Sequence, residues 1–210
     1  MDDSARVQRE TDLVSYYNNE VRDRAVRDLP ASRVERRTAY LAQLANEDLH
    51  SVLEIGSGPG RDGEAFAAAG LAYTGVDLAP ESVDACHALG LDAQVASVLD
   101  LPFDDASFQA GWTMSTLLHV ADEDLDSALA EIVRVLRPAA PLAVGLWGDQ
   151  VGAESLWRDG TDFGPPRFFS IRTDAMVRDA LQRHGTVEHW LTWQGTGPMH
   201  YQWAVLRTPA

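Results

Sequence analysis

Three glycines, Gly56, Gly58 and Gly60, recur at every second position between a short apolar run and a helical pattern. Glycine permits a tight turn and lets backbone N–H groups approach a ligand without a Cβ in the way. The residues from Ala72 to Val76 predict a second strand, which delivers Asp77 roughly 20 residues after the first glycine. An acid at this spacing is suited to bind the hydroxyls of a ribose. The pattern predicts a strand, glycine loop, helix and strand that hold a nucleoside-containing ligand.

Two kinds of ligand fit this layout, a nicotinamide dinucleotide and S-adenosylmethionine. The dinucleotide pattern G-x-G-x-x-G requires a small residue where this chain has Arg61. The loop from Glu54 to Gly60 instead resembles the E-x-G-x-G-x-G loop of class I S-adenosylmethionine-dependent methyltransferases. Later segments resemble that family's other landmarks in the same order, namely LPFDDASF (101–108), STLLHV (115–120) and IVRVLRPAAPLAV (132–144). The sequence is therefore identified as a member of that family over residues 51–144.

Composition narrows the range of functions. The 210 residues, 45% of them hydrophobic, suit one α/β domain with a full core. A formal net charge of −15, from 32 acidic and 17 basic residues, disfavours nucleic acid as a partner. All the basic residues are arginine, and without lysine the chain cannot form a Schiff base.

The single cysteine, Cys86, cannot form an intrachain disulfide or a thiolate metal site, so we expect a cytoplasmic protein without a metal centre. The N-terminal residues are polar and acidic, unlike a signal peptide. No apolar run approaches the ~18 residues of a membrane span, so we expect no membrane association.

The resemblance implies an α/β, Rossmann-like, doubly wound seven-stranded sheet of order 3-2-1-4-5-7-6 with strand 7 antiparallel. We expect a single methyltransferase domain over residues 1–210. Residues 1–48 would form a helical cap, 49–147 the cofactor-binding core, and 148–210 the acceptor-side loop, helix and terminal hairpin. The stretch 148–170 has little periodicity and is predicted to be a long loop.

Three helix and turn features are predicted from local sequence. Asp122 and Thr173 are expected to cap the N-termini of helices. Ala139 and Ala140 occupy a turn where the resembling family has two glycines, so this turn lacks glycine's freedom at positive φ. Gly195-Thr196-Gly197-Pro198 predicts the turn of the terminal hairpin. Six arginines between positions 22 and 37 are predicted to be solvated and paired with Asp23, Asp28 and Glu35, with attraction of an anionic acceptor as the alternative.

The resemblance also assigns the cofactor's methionine end and ribose to residues of this chain. The loop of Gly56, Ser57, Gly58 and Gly60 would hold the methionine end. Glu54 would orient the loop or reach the cofactor's amino group through water. Asp77 would bind both ribose hydroxyls.

For the adenine, the resemblance implies a sandwich between Leu78 and Val98. Ser97 stands where the family commonly has an aspartate that binds the adenine amine, so Ser97 or Asp100 is expected to replace it. The backbone carbonyl of Thr113 or Met114 would accept a hydrogen bond from the cofactor's amino group. Tyr16 and Tyr17 of the helical cap would line the site, with packing of the cap on the core as the alternative.

On the acceptor side, His119 is the candidate general base, and a structural histidine is the alternative. Trp112 or Trp147, together with Phe168, is a candidate apolar wall, and Arg167 is a candidate anion clamp or a surface arginine. We expect methyl transfer to O or N of a small-molecule acceptor by a monomer or homodimer. The alternatives are a noncatalytic S-adenosylmethionine-binding protein and, less favoured, a nicotinamide-dependent oxidoreductase.

Overall fold

The computed structural model describes residues 3–195 and 197–210, so Met1, Asp2 and the predicted turn residue Thr196 lie outside the described residues. The helices are α1 (Asp3–Val26), α2 (Ala31–Asn46), α3 (Gly63–Ala68), α4 (Pro80–Ala88), α5 (Asp122–Val135) and α6 (Asp174–Gln182). The strands are β1 (Ser51–Ile55), β2 (Ala72–Asp77), β3 (Ala93–Val95), β4 (Gly111–Met114), β5 (Pro141–Gly148), β6 (Ala153–Trp157), β7 (Arg167–Ile171), β8 (Thr186–Gln194) and β9 (His200–Arg207). A short 3-10 turn, Leu117–His119, follows β4.

Seven strands form one sheet in the order β3-β2-β1-β4-β5-β9-β8. Strands β1, β2 and β3 pair in parallel, as do β4 and β5, whereas β9 is antiparallel to both β5 and β8. The remaining strands, β6 and β7, form a separate two-stranded sheet. Strands β8 and β9 are thus the sixth and seventh of the main sheet, and the predicted order with its antiparallel seventh strand is confirmed.

The chain divides into two compact units. The first contains the chain up to Ser97 together with Arg158–Arg167, and the second contains Val98–Trp157 together with Phe168–Ala210. The expectation of one domain over residues 1–210 stays a prediction.

In the first unit, a continuous apolar run forms β1, and its Val52, Leu53 and Ile55 are buried. Burial on both faces explains why the run does not alternate with polar residues. Helix α1 ends before Pro30, and α2 begins directly after it and buries Tyr40 and Leu44. The two helices confirm the predicted helical segment ahead of the first strand.

In the second unit, α5 buries Leu125, Leu129 and Ile132 along one face, and β5 is buried over most of its length. The Thr173 hydroxyl caps α6 by accepting a hydrogen bond from Met176 N at 3.3 Å, as predicted. The prediction for Asp122 was wrong, because Ala121 is the N-cap of α5.

One further prediction needs correction, and the turn before β5 shows how it forms without glycine. The stretch 148–170 contains strands rather than a structureless loop, because Phe168 and Phe169 are buried and Trp157 stacks on Phe169 with ring centroids 4.8 Å apart. Ala139 does adopt positive φ, at 57°, although it is not glycine. Its N–H donates to Pro209 O and its carbonyl accepts from the Arg207 guanidinium, both at 3.0 Å, which holds the alanine in this conformation.

Candidate functional site

The glycine loop (residues 56–62) follows β1 and rests on the end of β2. Gly56 N and Ser57 N donate to Val76 O at 2.8 and 3.0 Å. Gly56, Gly58 and Gly60 have φ of 76°, 51° and 79°, a region that side chains with a Cβ rarely adopt. A Cβ at Gly58 would meet no atom within 4 Å, so open space lies beside the loop at this position. The turn therefore requires glycine for its backbone and leaves room beside Gly58.

Asp77 is fixed against this loop by backbone hydrogen bonds. Its Oδ2 accepts from Gly58 N at 2.8 Å, and its Oδ1 accepts from Ala79 N at 2.9 Å. Burial raises the pKa of the Asp77 carboxyl above its ordinary value, while the bonds from Ala79 and Gly58 oppose the rise. The next residue, Leu78, is half-buried. The structure thus brings together the predicted loop and the predicted ribose-binding acid.

Glu54 lies buried in β1, and its Oε2 accepts from the Tyr73 hydroxyl at 2.7 Å. Burial, reinforced by the charge of Asp62, raises the pKa of the Glu54 carboxyl well above its ordinary value. Within residues 3–195 and 197–210, no group donates a hydrogen bond to Glu54 Oε1. A ligand with an amino group and a ribose suits this site. The site offers the unpaired acceptor Glu54 Oε1, the acid Asp77 at the end of β2, and open space at Gly58. These residues fit S-adenosylmethionine.

Asp62, at the end of the glycine loop, was missed by the sequence analysis. Its buried carboxylate accepts from Arg33 Nε at 2.7 Å and from an Arg37 guanidinium nitrogen at 2.7 Å. Arg61 donates to the carbonyls of Ala25 and Arg27 at 2.5 and 2.8 Å. The loop is thereby tied to α2 and to the end of α1. The signal was present in the sequence, because the arginines of α2 needed acidic partners.

The predicted pairing of the arginines was partly wrong. Arg36 pairs with Glu35, as expected. Arg24 and Arg27 instead pair with Glu20, which is buried in α1. The acid adjacent in sequence does not identify the ion-pair partner of each arginine, because a helix brings residues three, four or seven positions apart onto one face.

Tyr16 and Tyr17 lie with Arg167 in one cluster. The Tyr16 hydroxyl donates to the Asp159 carboxylate, and its ring lies 4.1 Å beneath the Arg167 guanidinium. Arg167 also donates to the Tyr17 hydroxyl at 3.3 Å and to Asp159 Oδ2 at 2.7 Å. Burial raises the pKa of both tyrosine hydroxyls, whereas hydrogen bonds from Thr161 and Tyr16 lower the pKa of Asp159. Arg167 is thus neither a surface arginine nor an uncommitted cation, since Asp159 neutralises it.

Ser97, expected at the adenine, makes a contact that the sequence analysis did not consider. Its hydroxyl donates to Glu10 Oε1 of α1 at 2.7 Å. Ser97 closely follows β3, whose Val95 is in register with Asp77 of β2.

The second unit holds the other candidates. Val98 and Thr113 are buried, and in the described part of the chain Thr113 Oγ1 has no hydrogen-bond partner. Trp147 packs edge-on against Tyr201 with ring centroids 5.1 Å apart. Phe168 is buried, and its backbone carbonyl lies 2.8 Å from His119 Nδ1.

His119 ends the 3-10 turn, where its ring packs on Phe169 with centroids 4.6 Å apart. Because a carbonyl oxygen can only accept, Nδ1 must carry the proton in the bond to Phe168 O, and Nε2 is then the acceptor nitrogen of a neutral ring. This arrangement gives His119 the tautomer that a base attacking through Nε2 needs.

Arg172 is a second residue that the sequence analysis missed, and it positions the His119 turn. This buried guanidinium donates to Leu117 O at 3.0 Å, to Val120 O at 2.6 Å and to the Asp122 carboxylate at 2.7 Å. Asp122 also accepts from the Ser170 hydroxyl. The Asp122 carboxylate thus binds Arg172 and Ser170, while Ala121 occupies the N-cap position of α5.

Among the described residues, no helix is long and apolar enough to cross a bilayer. No three or more His, Cys, Asp or Glu side chains in these residues are grouped so that they could hold a metal ion.

Comparison with known proteins adds independent information. Residues 52–139 match a family model described as a methyltransferase domain. The O-methyltransferase resE of Aspergillus sclerotiorum is 32% identical over 112 residues, which are 49% of this chain and 42% of that protein. The O-methyltransferase cnsE of Penicillium expansum is 31% identical over 141 residues, 61% of this chain and 50% of that protein. The chain thus spans about half the length of the curated relatives it matches.

Among solved structures, the fold matches Burkholderia thailandensis 1,6-didemethyltoxoflavin-N1-methyltransferase with a TM-score of 0.74 and 24% identity. The match covers 99% of this chain and 89% of that one, which was crystallised with 1,6-didemethyltoxoflavin and S-adenosylhomocysteine. The structure has the predicted sheet order and the predicted glycine loop with its acid, and the matched methyltransferase domain covers both the loop and the acid. Residues 52–139 of the chain are thus similar to a methyltransferase domain, and the fold is that of a solved methyltransferase.

Proposed function

We propose that this protein transfers the methyl group of S-adenosylmethionine to an oxygen or nitrogen atom of a small-molecule acceptor. The hydrogen bond between Gly58 N and Asp77 Oδ2 carries the proposal, because it joins the glycine loop to the ribose-binding acid. Two relatives named O-methyltransferases favour oxygen as the methylated atom. The net charge of −15 supports a small molecule over nucleic acid, and the single Cys86 supports a cytoplasmic location.

The first unit supplies the cofactor-binding groups. Each Asp77 oxygen already accepts one backbone N–H, and a carboxylate oxygen has a second lone pair that can accept from a ribose hydroxyl. In its ionised form, Glu54 offers Oε1 as an acceptor for the ammonium group, directly or through water. When bound, S-adenosylmethionine supplies an electrophilic methyl group on a sulfonium sulfur. The protein's remaining task is to hold the acceptor in line and to take its proton.

The second unit supplies the acceptor-side groups. His119 Nε2 accepts the acceptor's proton, while the bond from Nδ1 to Phe168 O keeps the ring oriented. Trp147, packed on Tyr201, and Phe168 form apolar walls. Arg167 does not serve as a simple anion clamp, because an anionic acceptor would have to displace Asp159 from its guanidinium.

Calorimetric titration with S-adenosylhomocysteine and with NADH tests the cofactor assignment. We expect binding of S-adenosylhomocysteine and none of NADH. Asp77→Asn should weaken binding about tenfold to a hundredfold, because a charged acceptor for two hydroxyls is lost. Asp92→Asn, at an exposed acid bonded to Thr74, is the matched control. Tight NADH binding would instead support the oxidoreductase.

Turnover is tested by screening phenols, hydroxy acids and amines for release of S-adenosylhomocysteine. With an acceptor in hand, His119→Ala should lower kcat about 10²–10⁴-fold and leave the Kd for S-adenosylhomocysteine nearly unchanged. His189→Ala, at an exposed histidine of β8, should leave both unchanged. A protein that binds the cofactor but methylates none of these acceptors would support the noncatalytic alternative.

A further inference from the structure

The first unit presents a second acid along the sheet edge that carries Asp77. Strand β3 pairs in parallel with β2, with Val95 opposite Asp77, and Ala96 N donates to Asp77 O at 3.1 Å. In open α/β sheets, ligands lie outside the carboxyl ends of the strands. Ser97, directly after Ala96, therefore marks the next position along this edge, and its hydroxyl holds the Glu10 carboxylate.

The hydrogen bond from the Ser97 hydroxyl engages only one of the two oxygens of the Glu10 carboxylate. Ser97 has one hydroxyl proton, and it engages Oε1 at 2.7 Å. Oε2 makes no hydrogen bond within the described ranges 3–195 and 197–210, and both side chains are only half-buried. Helix α1, which carries Glu10, is also tied to the helix between β2 and β3, because Glu81 N donates to Asn18 Oδ1 at 3.1 Å. The carboxylate is thus an anchored acceptor that a ligand can reach.

The order of the strands indicates which part of the cofactor meets this acid. The glycine loop follows β1, Asp77 ends β2, and Ser97 follows β3, in the sheet order β3-β2-β1. S-adenosylmethionine is joined in the order methionine, ribose, adenine. If the methionine end lies at the loop and the ribose at Asp77, the adenine extends toward the end of β3. Its exocyclic amine is a hydrogen-bond donor, whereas an ionised carboxylate is only an acceptor.

We propose that Glu10 of α1, held by Ser97, accepts a hydrogen bond from the adenine amine and makes the protein selective for adenine. This proposal rests on the proposed function only in that S-adenosylmethionine is the cofactor. Adenine should be preferred over hypoxanthine, because hypoxanthine has a carbonyl oxygen where adenine has its exocyclic amine. Two acceptors would then face each other, and a site whose polar group is left unpaired rejects the wrong ligand strongly.

The test compares calorimetric Kd values for S-adenosylhomocysteine and S-inosylhomocysteine, which differ at this group of the base. The parent protein should prefer S-adenosylhomocysteine at least tenfold, in line with a hydrogen bond to a charged group. Glu10→Gln should reduce the preference to less than about threefold, because the amide can donate to the hypoxanthine carbonyl. Asp12→Asn, the same charge change on the same helix, should keep the parent's preference. Ser97→Ala should lower the preference partway by freeing Glu10.

The outcomes separate this inference from the proposed function. If the parent binds neither ligand, the cofactor assignment fails and the inference fails with it. If the parent binds S-adenosylhomocysteine but Glu10→Gln keeps the parent's preference, the inference alone is overturned. Loss of preference in Asp100→Asn, with Glu10→Gln unchanged, would assign the amine to Asp100. Equal melting temperatures of the variants are required before Kd values are compared.

Discussion

The glycine loop and the His119 turn each follow a parallel strand, but the protein holds them in different ways. The loop turns at three glycines with positive φ, and its first residues are held by backbone groups, with Gly56 N and Ser57 N bonded to Val76 O. The His119 turn is held by the Arg172 side chain, which lies 55 residues beyond the Leu117 carbonyl that it binds. The first arrangement leaves a pattern in the local sequence, whereas the second does not.

The glycine loop and turns of the second unit also differ in which residues adopt positive φ. At each positive-φ position from 56 to 60 the chain has glycine. In the second unit, Ser115 after β4 and Ala139 before β5 adopt φ of 57° with side chains present. Such residues cost free energy and persist when surrounding contacts enforce them. The turns at Ser115 and Ala139 therefore depend on the contacts around them.

The largest expected effect comes from removing the arginine that holds the His119 turn. Arg172→Met should lower the free energy of unfolding by about 3 kcal/mol, because the carbonyls of Leu117 and Val120 lose their donors. Arg183→Met is the matched control, since its ion pair with Asp126 is more than half exposed and contributes little. Urea denaturation of both variants measures the difference. Equal midpoints would show that the turn does not depend on Arg172.

A substitution in the glycine loop should weaken the binding of S-adenosylhomocysteine more than it lowers the stability of the protein. Gly58→Val places a branched side chain in the open space beside the loop at φ 51°, so binding of S-adenosylhomocysteine should weaken at least a hundredfold. Gly70→Val has comparable backbone strain, at φ 86° with open space, but lies at the end of α3 away from the loop. It should lose similar stability and keep the parent's Kd by calorimetry. Similar affinity loss in both variants would attribute the effect to misfolding.

A smaller effect concerns pH and the buried acid of β1. Burial raises the pKa of Glu54 in the folded protein above its unfolded value, so folding favours the protonated form. The stabilisation from protonated Glu54 is fully present below the pKa that Glu54 has in the unfolded chain. It is lost as the pH rises through the pKa that Glu54 has in the folded protein. Glu54→Gln should therefore lose less stability than the parent between pH 5 and pH 8 in urea titrations. The exposed Glu64→Gln should follow the parent, and an identical slope for Glu54→Gln would contradict the assignment.

Much of the fold was predictable because the sheet strands and glycine turns leave local patterns. The strand order was implied by the resemblance to the methyltransferase family, which the segments between Val52 and Val144 carry. The cofactor loop and Asp77 were also predictable, since one motif specifies both. Their juxtaposition in the structure agrees with that motif, while their binding roles stay predictions.

The rest of the candidate site depends on contacts between residues far apart in sequence. Ser97 and Asp100 were the expected substitutes for an adenine-binding acid, and Glu10, 87 residues before Ser97, was not considered. Arg167 was expected to be either an anion clamp or a surface arginine, yet Asp159 and two tyrosines surround it. Side-chain pairing over such distances follows from tertiary packing, which no local pattern encodes.

The smallest expected effect tests whether the turn before β5 is strained. Ala139 has φ 57°, a conformation that costs a residue with a Cβ about 1–2 kcal/mol relative to the right-handed helical region. Ala139→Gly removes that cost but increases the entropy of the unfolded chain, so a net stabilisation of about 0.5–1 kcal/mol is expected. Ala140→Gly, one residue later and without positive φ, should instead destabilise the protein. Thermal and urea unfolding of the two variants measure the contrast. A loss of stability in Ala139→Gly would show that the Arg207 and Pro209 contacts favour alanine's conformation without appreciable strain, and the two regions would then differ only in how their turns are anchored.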